Sequence, residues 1–380
     1  MIVVLLLCQC DTIPKELLLF IDTVHLRNWR NIEKSSLHNC GQFVVIHGKN
    51  GMGKSNILEA IYVVSALKSF REHISSNFIQ WGTSSAQVDV ELRTPYGLRH
   101  LTWSYALKKR MLHIDKTKCT NLSSWFSLVR SVLFCPDQIS IVKGGPAERR
   151  KFLDRARFTA SPAYLGLVRN YLKVLEQKKA LLRSGKNVGD QIEIWNNQLI
   201  TYGTRIAIQR QIILEELREP FQKMHSFLSG QEVVSLRLTG ISGEKSENIR
   251  SFFQEQLHHR QKDELRTRRC LVGPHADDVQ ILMDGVPAKK FSSQGQVRSI
   301  VLALKLAELE AARKRGENPL FLLDDLSSEL DRGRTEKLLE LLSQRENQIW
   351  ITTTDPSYLR GIPFSKRSRF LVENGQVKNV

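Results

Sequence analysis

A glycine-rich segment restricts the possible folds of this chain more than any other feature. Residues 48–55 read GKNGMGKS and fit the pattern GxxxxGK[ST]. Residues 43–46 before it are apolar and partly β-branched, as in a strand buried on both faces, and residues 56–64 after it have apolar side chains at helical spacing. A chance glycine-rich turn is the alternative. The order of strand, loop and helix favours a phosphate-binding loop in an α/β fold.

The residue types in this segment suit the binding of ATP. Glycine reaches positive φ at little cost, so backbone N–H groups can turn toward the phosphates, and the helix N-terminus adds a partial positive charge. We expect Lys54 to contact the β- and γ-phosphates and to act in catalysis, and the hydroxyl of Ser55 to bind Mg²⁺. The predicted nucleotide-binding residues of this loop are Gly48, Lys49, Asn50, Gly51, Met52, Gly53, Lys54 and Ser55.

Two adjacent acids follow a second apolar run. Leu320–Leu323 predicts a buried strand, and Asp324 and Asp325 stand where that strand would emerge at its carboxyl end. Two solvated surface acids are the alternative. We expect Asp324 to hold Mg²⁺, directly or through water, and Asp325 to orient or deprotonate the attacking water.

A third segment, FSSQGQVR at residues 291–298, precedes a helix whose apolar residues at 297, 300, 301, 304 and 307 lie on one stripe. Ser292 or Ser293 is the expected cap, and the free amides of the first turn would form an anion site. Serine-rich helix starts are common, so this segment alone is weak evidence for a nucleotide contact. The predicted nucleotide contacts in it are Ser292, Ser293, Gln294, Gly295 and Gln296.

The charge of the chain favours a polyanionic partner. Lys and Arg number 56 against 39 Asp and Glu, a net charge of +17, which fits nucleic acid but also serves solubility or attraction to a membrane surface. The six cysteines lack the CxxC spacing of zinc or redox sites. The apolar residues 1–8 lack a basic start and are too short to span a bilayer, so we expect neither a signal peptide nor a membrane anchor.

A long insertion separates the glycine-rich loop from the segment at 291–298. Its apolar residues follow heptad-like spacing over 164–182 and again over 195–213. We predict two amphipathic helices, the first ending near Gly185 and the second stopping by Pro220. They form either an arm that grips DNA or a helical subdomain that packs on the rest of the protein.

Together these segments resemble the motifs of the ABC and SMC-type ATPases. GKNGMGKS is similar to Walker A, SSQGQVR to the signature motif, FLLDD to Walker B and SELD at 328–331 to the D-loop, in the correct order. More narrowly, LRNWRN at 26–31, LEAIY at 58–62, SFR at 69–71, GGPAERR at 144–150 and GPHADD at 273–278 resemble the bacterial RecF family. The resemblance covers about residues 18–355.

The resemblance implies an α/β fold with a P-loop ABC/SMC-like ATPase head, assembled from N- and C-terminal segments and carrying an inserted α-helical arm. Its parts would be residues 1–155 with Walker A, the arm at 156–265, and residues 266–380 with the signature, Walker B and D-loop. Residues 292–296 would contact the γ-phosphate bound by a second protomer. A complete ATP site would then require a homodimer.

The same resemblance implies a cytoplasmic protein of recombinational DNA repair and replication. Such a protein binds single-stranded, gapped or junction DNA and assists RecA loading together with RecO and RecR, and has a weak, DNA-stimulated ATPase. Thr352, Thr353 and Thr354 stand where ABC ATPases usually carry a switch histidine, so we expect slow hydrolysis. The rival interpretations are an ABC ATPase of transport or translation and a DNA-binding scaffold with an inactive nucleotide site, which ATP turnover would separate.

Several polar positions are open to two interpretations. Ala276 replaces an arginine that is common in the family, which removes any phosphate or DNA contact of that side chain. His275, Asp277 and Asp278 have metal-ligand chemistry, but we prefer a structural or nucleotide-proximal loop. Each basic cluster is either a solvated face or part of a DNA groove; the clusters lie at 108–110, 149–151, 266–269 and 313–315.

Overall fold

The structure, a computed structural model, describes residues 20–71, 75–94, 96–185, 188–230, 232–359 and 361–380. The expectations for residues 1–17 therefore lie outside the described residues. Two compact units are present, Met1–Pro136 with Ala312–Val380, and Asp137–Ala311. The division at 155 and 265 inferred from the sequence stays a prediction.

The helices and strands follow one another in this order. The first segment contains β1 (Phe20–Trp29), β2 (Ile32–Leu37), β3 (Phe43–His47), α1 (Lys54–Ala66), β4 (Ser85–Thr94), β5 (Gly97–Ala106), β6 (Lys109–Ile114), β7 (Thr117–Lys118), α2 (Leu122–Leu128) and β8 (Ser131–Phe134). The second unit contains α3 (Ser140–Lys143), α4 (Pro146–Ala160), α5 (Tyr164–Ser184), α6 (Val188–Ser229), β9 (Val234–Thr239), α7 (Ile249–Thr267), β10 (Asp278–Met283), β11 (Val286–Pro287), α8 (Ala288–Phe291) and α9 (Gln294–Lys314), whose last residues enter the first unit. The final segment contains β12 (Leu320–Leu323), α10 (Leu326–Glu329), α11 (Arg332–Ser343), β13 (Ile349–Thr353), β14 (Arg367–Glu373) and β15 (Gln376–Asn379).

The core of the first unit is a six-stranded sheet with strand order β15-β14-β3-β13-β12-β8. All its neighbouring strands are parallel except β15, which pairs antiparallel with β14. Both strands predicted as buried, β3 and β12, lie in its interior, and every residue of theirs is buried except the half-buried His47 at the end of β3. Because parallel strands end at the same edge of a sheet, the segments that follow β3, β12 and β13 come together there.

A second sheet of the same unit is antiparallel, with strand order β2-β1-β4-β5-β6-β7. Aromatic residues fill its buried face: the ring of Trp29 stacks on Phe78 with centroids 5.1 Å apart and meets Trp103 edge-on at 5.4 Å. The indole N–H of Trp29 donates to the carbonyl of Asn56 at 2.8 Å. The antiparallel sheet thereby fixes the first turn of α1.

The second unit packs α5, α6 and α7 around one apolar core. Its buried residues include Tyr171, Leu175, Leu199, Ile206, Phe253 and Leu257. A buried ion pair of 2.6 Å joins Lys178 of α5 to Glu264 of α7. The two predicted amphipathic helices are confirmed, and Gly185 ends the first in the left-handed conformation.

The prediction that the second helix stops by Pro220 is wrong. Helix α6 continues through Pro220 to Ser229. Proline removes one backbone donor, but Leu217, Phe221 and Leu228 keep one buried stripe on both sides of it. Burial of that stripe outweighs the local cost of the proline.

None of the helices described is both long and apolar enough to span a lipid bilayer.

Candidate nucleotide-binding site

The phosphate loop connects β3 to α1 with a backbone that requires glycine. Gly48 has φ of +147°, and a Cβ there would lie 2.4 Å from the carbonyl oxygen of Val372 in β14. Gly53 has φ of +111°, and a Cβ there would lie 2.9 Å from Oδ1 of Asn31. Positive φ values near a helix N-terminus are typical of loops that bind anions with backbone amides.

Lys54 is the first residue of α1 and is largely buried. Its ammonium donates to the carbonyls of Gly48 at 2.7 Å and Lys49 at 2.9 Å. Burial lowers the pKa of Lys54, while the charges of Asp325 and Asp324 oppose this shift. The ammonium is therefore bonded to the loop, and the charges of both acids act on its pKa.

Asp324 follows β12 and is buried beside two hydroxyls. Thr352 donates to its Oδ1 at 2.7 Å. Burial raises the pKa of Asp324, whereas hydrogen bonds from Thr352 and Ser55 and the charge of Arg71 lower it. Ser55 and Asp324 thus bring a hydroxyl and a carboxylate oxygen together, which are ligands that Mg²⁺ prefers.

Asp325 has a strained backbone and an unused carboxylate oxygen. Its φ of 53° and ψ of 51° place a non-glycine residue in the left-handed region at the start of α10, although the side chain makes no capping hydrogen bond. Its Oδ1 is buried and has no hydrogen-bond partner among the residues that the structure describes. Strained residues cluster at functional sites. A buried carboxylate oxygen without a partner costs folding free energy, so its presence here favours a functional role for Asp325.

The three threonines at the carboxyl end of β13 make different contacts. Thr352 is fully buried and accepts from the amide of Asp325 at 2.8 Å. Thr353 donates to the carbonyl of Asp355 at 3.1 Å. The hydroxyl of Thr354 is exposed and lies 3.2 Å from that of Ser327. Of the three threonines, Thr354 alone is exposed.

An open cleft of about 710 Å³ lies beside the first turn of α1. It is lined by Arg30, Asn31, Asn56, Arg71, Asn77, Ile79, Gln80 and Trp81. The indole of Trp81 is 98% exposed, whereas Arg30 is held by Glu59 through two hydrogen bonds of 2.7 and 2.9 Å. Arg71 donates to Oδ1 of Asn56 at 3.1 Å. The cleft combines cations, amides and an aromatic ring, the groups that recognise a nucleotide.

Sequence reasoning missed most of this cleft. Arg71 lies in the SFR segment, which supported only the family resemblance. The fold shows that the charge of Arg71 lowers the pKa of Asp324. Trp81 belongs to no motif, so no pattern could have identified it. Asn31 lies in the LRNWRN segment, and its amide donates to the carbonyl of Met52 at 3.3 Å.

The signature segment belongs to the second unit, where it forms a helix start. The amide of Ser293 donates to Oε1 of Gln296 at 2.8 Å, and the amide of Gln296 donates to Oγ of Ser293 at 3.2 Å. This reciprocal pair is a capping box, which identifies Ser293 as the predicted cap of α9. Ser292 is buried, and its hydroxyl lies 3.7 Å from the sulfur of Met283.

The polar residues of GPHADD serve internal contacts. Nδ1 of His275 lies 2.6 Å from the hydroxyl of Tyr171, and burial lowers the pKa of His275 to about 4. Asp277 accepts from the amides at 241 and 242, and Asp278 forms two hydrogen bonds with Arg149 at 2.8 and 2.9 Å. The described residues contain no group of three or more His, Cys, Asp or Glu side chains that could hold a metal ion. These contacts support a structural role.

The four basic clusters differ in how much charge they expose. Arg149 is buried against Asp278, and Arg150 donates to the carbonyl of Asp277 at 2.6 Å, so the cluster at 149–151 is mostly internal. By contrast, residues 107–110 are exposed at the β5–β6 turn, and residues 266–269 are exposed at the end of α7. These two clusters therefore offer more exposed charge to a polyanion than the cluster at 149–151 does.

Comparison with known proteins assigns a family to this arrangement. The sequence matches the family model described as RecF/RecN/SMC N terminal domain over residues 20–374. It is 32% identical over 362 residues to the DNA replication and repair protein RecF of Geotalea daltonii, which covers 94% of this chain and 99% of that protein. It is 34% identical over 365 residues to the protein of the same name from Geobacter sulfurreducens, covering 95% and 100%.

Solved structures give the same result. The structure described as the recombination mediator protein RecF with ATP in the RecFOR pathway is similar with a TM-score of 0.87 and 29% identity, over 95% of this chain and 98% of that chain. An Smc head domain with an extended coiled coil from Pyrococcus furiosus, bound to the C-terminal domain of ScpA, has a TM-score of 0.59 and 15% identity, over 96% of both chains. That second similarity concerns the fold alone.

Proposed function

Since this chain belongs to the RecF family of DNA replication and repair proteins, we propose that it is an ATP-gated DNA-binding protein of recombinational repair. ATP with Mg²⁺ binds at residues 48–55 together with Asp324, and Asp325 promotes slow hydrolysis. The nucleotide state controls a homodimer on DNA.

The observation that carries this proposal is the state of Asp325. A buried carboxylate oxygen without a partner, on a residue in the left-handed region, serves no contact within the described fold. It lies close enough to Lys54 for its charge to affect the pKa of that lysine. A carboxylate at this position suits the orientation or deprotonation of a water that attacks the γ-phosphate.

The remaining groups of the site divide the phosphate-binding work. Lys54 exchanges the carbonyls of Gly48 and Lys49 for the β- and γ-phosphates, and Arg71 adds a second cation from the cleft. Ser55 and Asp324 would hold Mg²⁺, which neutralises charge on the β- and γ-oxygens when bound. Thr352 keeps Asp324 oriented toward that position.

The open cleft is the proposed site of the base and ribose. Trp81 offers an exposed aromatic face for stacking, and Asn31, Asn77 and Gln80 offer hydrogen-bonding groups. The geometry that supports this assignment is the contact of Asn31 with both the phosphate loop and Asn56 of α1. A nucleotide could then extend from the loop into the cleft.

The proposed dimer and its partners follow from family membership. Residues 292–296 would meet the γ-phosphate bound by a second protomer, so that ATP joins two chains. We propose binding to single-stranded, gapped or junction DNA in the cytoplasm, and cooperation with RecR and RecO in loading RecA. The description of the similar solved RecF structure places that protein in the RecFOR pathway. The excess of Lys and Arg, 56 in number, over the 39 Asp and Glu supports a DNA partner.

Sedimentation with ATP, ADP, single-stranded DNA and short duplexes tests the proposal. We expect Lys54→Ala to abolish nucleotide binding and Asp325→Asn to bind ATP without turnover as a dimer on DNA. Glu373→Gln is a matched control, because this exposed acid of the same sheet pairs with Lys378 at 3.1 Å. A monomeric Asp325→Asn protein in saturating ATP would refute the mechanism. An unaltered protein that binds DNA without any ATP turnover would instead be a scaffold.

A further inference from the structure

A lysine from outside the signature segment holds the chain where that segment begins. Lys143, the last residue of α3, donates to the carbonyl of Ser292 at 2.8 Å and to that of Lys289 at 3.1 Å. These carbonyls lie at the carboxyl end of α8, where no helical donor follows. A cation there satisfies both oxygens and fixes the turn from α8 into α9.

A glutamate holds the other end of the segment. Glu232 lies between α6 and β9, and its Oε1 accepts from Nε2 of Gln296 at 3.1 Å. Because Oε1 of Gln296 already accepts from the amide of Ser293, both ends of its side-chain amide are engaged. The first turn of α9 contains no acid of its own, so Glu232 supplies the negative charge that stabilises a helix N-terminus.

We propose that Lys143 and Glu232 are positioning residues for the ATP-dependent dimer. They hold Ser292 and Gln296 in the arrangement that meets the nucleotide of a second protomer, so less ordering is required when the dimer forms. The inference rests on the proposed function of residues 292–296. The same contact links the signature segment to the connection between α6 and β9, where Glu232 lies.

The test measures by sedimentation the ATP concentration that gives half-maximal dimerisation. Every protein compared, the parent included, also carries Asp325→Asn, which suppresses ATP turnover. Lys143→Met and Glu232→Ala should each raise that concentration roughly tenfold, the scale of one hydrogen bond to a charged group. Lys143→Arg and Glu232→Gln keep a donor and an acceptor, so they should stay within about threefold of the parent. Nucleotide affinity of the dilute monomer should not change in any of the four.

A purely structural role gives a different result. The thermal unfolding midpoint would then fall while the ATP dependence of dimerisation stays at the parent value, which would overturn the proposal. A double substitution keeps the test independent of folding: in Gln296→Ala protein, adding Glu232→Ala should have no further effect on dimerisation. Full additivity of the two would also overturn it. A parent that remains monomeric in ATP would refute the proposed dimer itself, and this assignment with it.

Discussion

The hydroxyl of Thr352 donates to Oδ1 of Asp324 at 2.7 Å and accepts from the amide of Asp325 at 2.8 Å. One buried side chain therefore orients the proposed Mg²⁺ ligand and fixes the backbone of the proposed catalytic acid. The two acids are adjacent in sequence, but a residue of the neighbouring strand β13 sets their relative geometry.

Replacing Thr352 with Val should lower ATP turnover about tenfold, because a hydrogen bond to a charged group is lost at the centre of the site. Steady-state hydrolysis with nucleotide affinity measured in parallel checks this. Thr353→Val is the control. Its hydroxyl donates to the carbonyl of Asp355 and makes no described hydrogen bond to Asp324 or Asp325. Equal losses in both variants would contradict a specific role for Thr352.

The pH dependence of turnover should identify Asp324. Burial raises the pKa of Asp324 in the metal-free protein, so at limiting Mg²⁺ concentration, where protons compete with the metal, turnover should fall on acidification at a higher pH than an ordinary aspartate would give. Thr352→Val should move this acid limb to still higher pH, because the hydrogen bond it removes lowers the pKa of Asp324. An acid limb at the same pH in both proteins would show that another group controls it.

The same shift predicts a stability effect of Asp324→Asn. A carboxyl whose folded-state pKa is raised stabilises the fold at low pH, and that contribution is lost as pH rises through the folded pKa. At neutral pH the nucleotide-free Asn variant should therefore unfold at a temperature a few degrees higher, with the difference shrinking on acidification. Thermal unfolding of both proteins across pH measures this. A difference that is constant with pH would exclude the ionisation of Asp324 as its cause.

Two glycines of the phosphate loop should respond differently to alanine. A Cβ at Gly48 would lie 2.4 Å from a backbone oxygen of β14, whereas a Cβ at Gly51 meets nothing within 4 Å. Both have positive φ, so Gly51→Ala should cost about 1 kcal/mol in unfolding free energy and Gly48→Ala about 3 kcal/mol or more. Denaturant unfolding compares them. Equal losses would mean that backbone strain alone determines the cost.

Trp81 should report on nucleotide binding. Its indole is 98% exposed, whereas Trp29, Trp103, Trp125 and Trp350 are buried. ADP should change the intrinsic fluorescence of the protein, and Trp81→Ala should remove most of that change and weaken ADP binding roughly tenfold, the scale of base stacking. Trp81→Phe should keep more of the affinity. Unaltered ADP affinity in Trp81→Ala would remove the cleft from the nucleotide site.

The exposed lysines of the β5–β6 turn should contribute to DNA binding. Lys108→Gln with Lys109→Gln should reduce the slope of log affinity against log salt by about one per phosphate contact removed. Lys378→Gln is the control, because this exposed lysine pairs with Glu373. Filter binding over a salt series measures the slopes. The same slope in the double variant and the control would exclude this turn from the DNA surface.

The sequence predicted the parts of the site that depend on neighbours along the chain. The loop at 48–55 and the acids after Leu320–Leu323 could be found because strand, turn and helix signals are local. The hydrogen bonds of Thr352 to the two acids, and any role for Trp81, Lys143 and Glu232, could not be predicted, since the partners lie 27 or more residues away or, for Trp81, across an open cleft. The prediction that the second helix stops by Pro220 failed for a related reason, because tertiary burial of the α6 stripe overrides the local effect of proline.

The position of β3 in the parallel sheet has a consequence for synthesis of the protein. β3 is an early strand, yet it lies between β13 and β14, and Gly48 packs against the carbonyl of Val372. While the chain emerges from the ribosome, the strands on both sides of β3 are made long after β3 itself. The phosphate loop therefore cannot reach its final geometry until β13 and β14 have been made, and a nascent chain truncated before residue 349 lacks both neighbours of β3 and the backbone against which Gly48 packs.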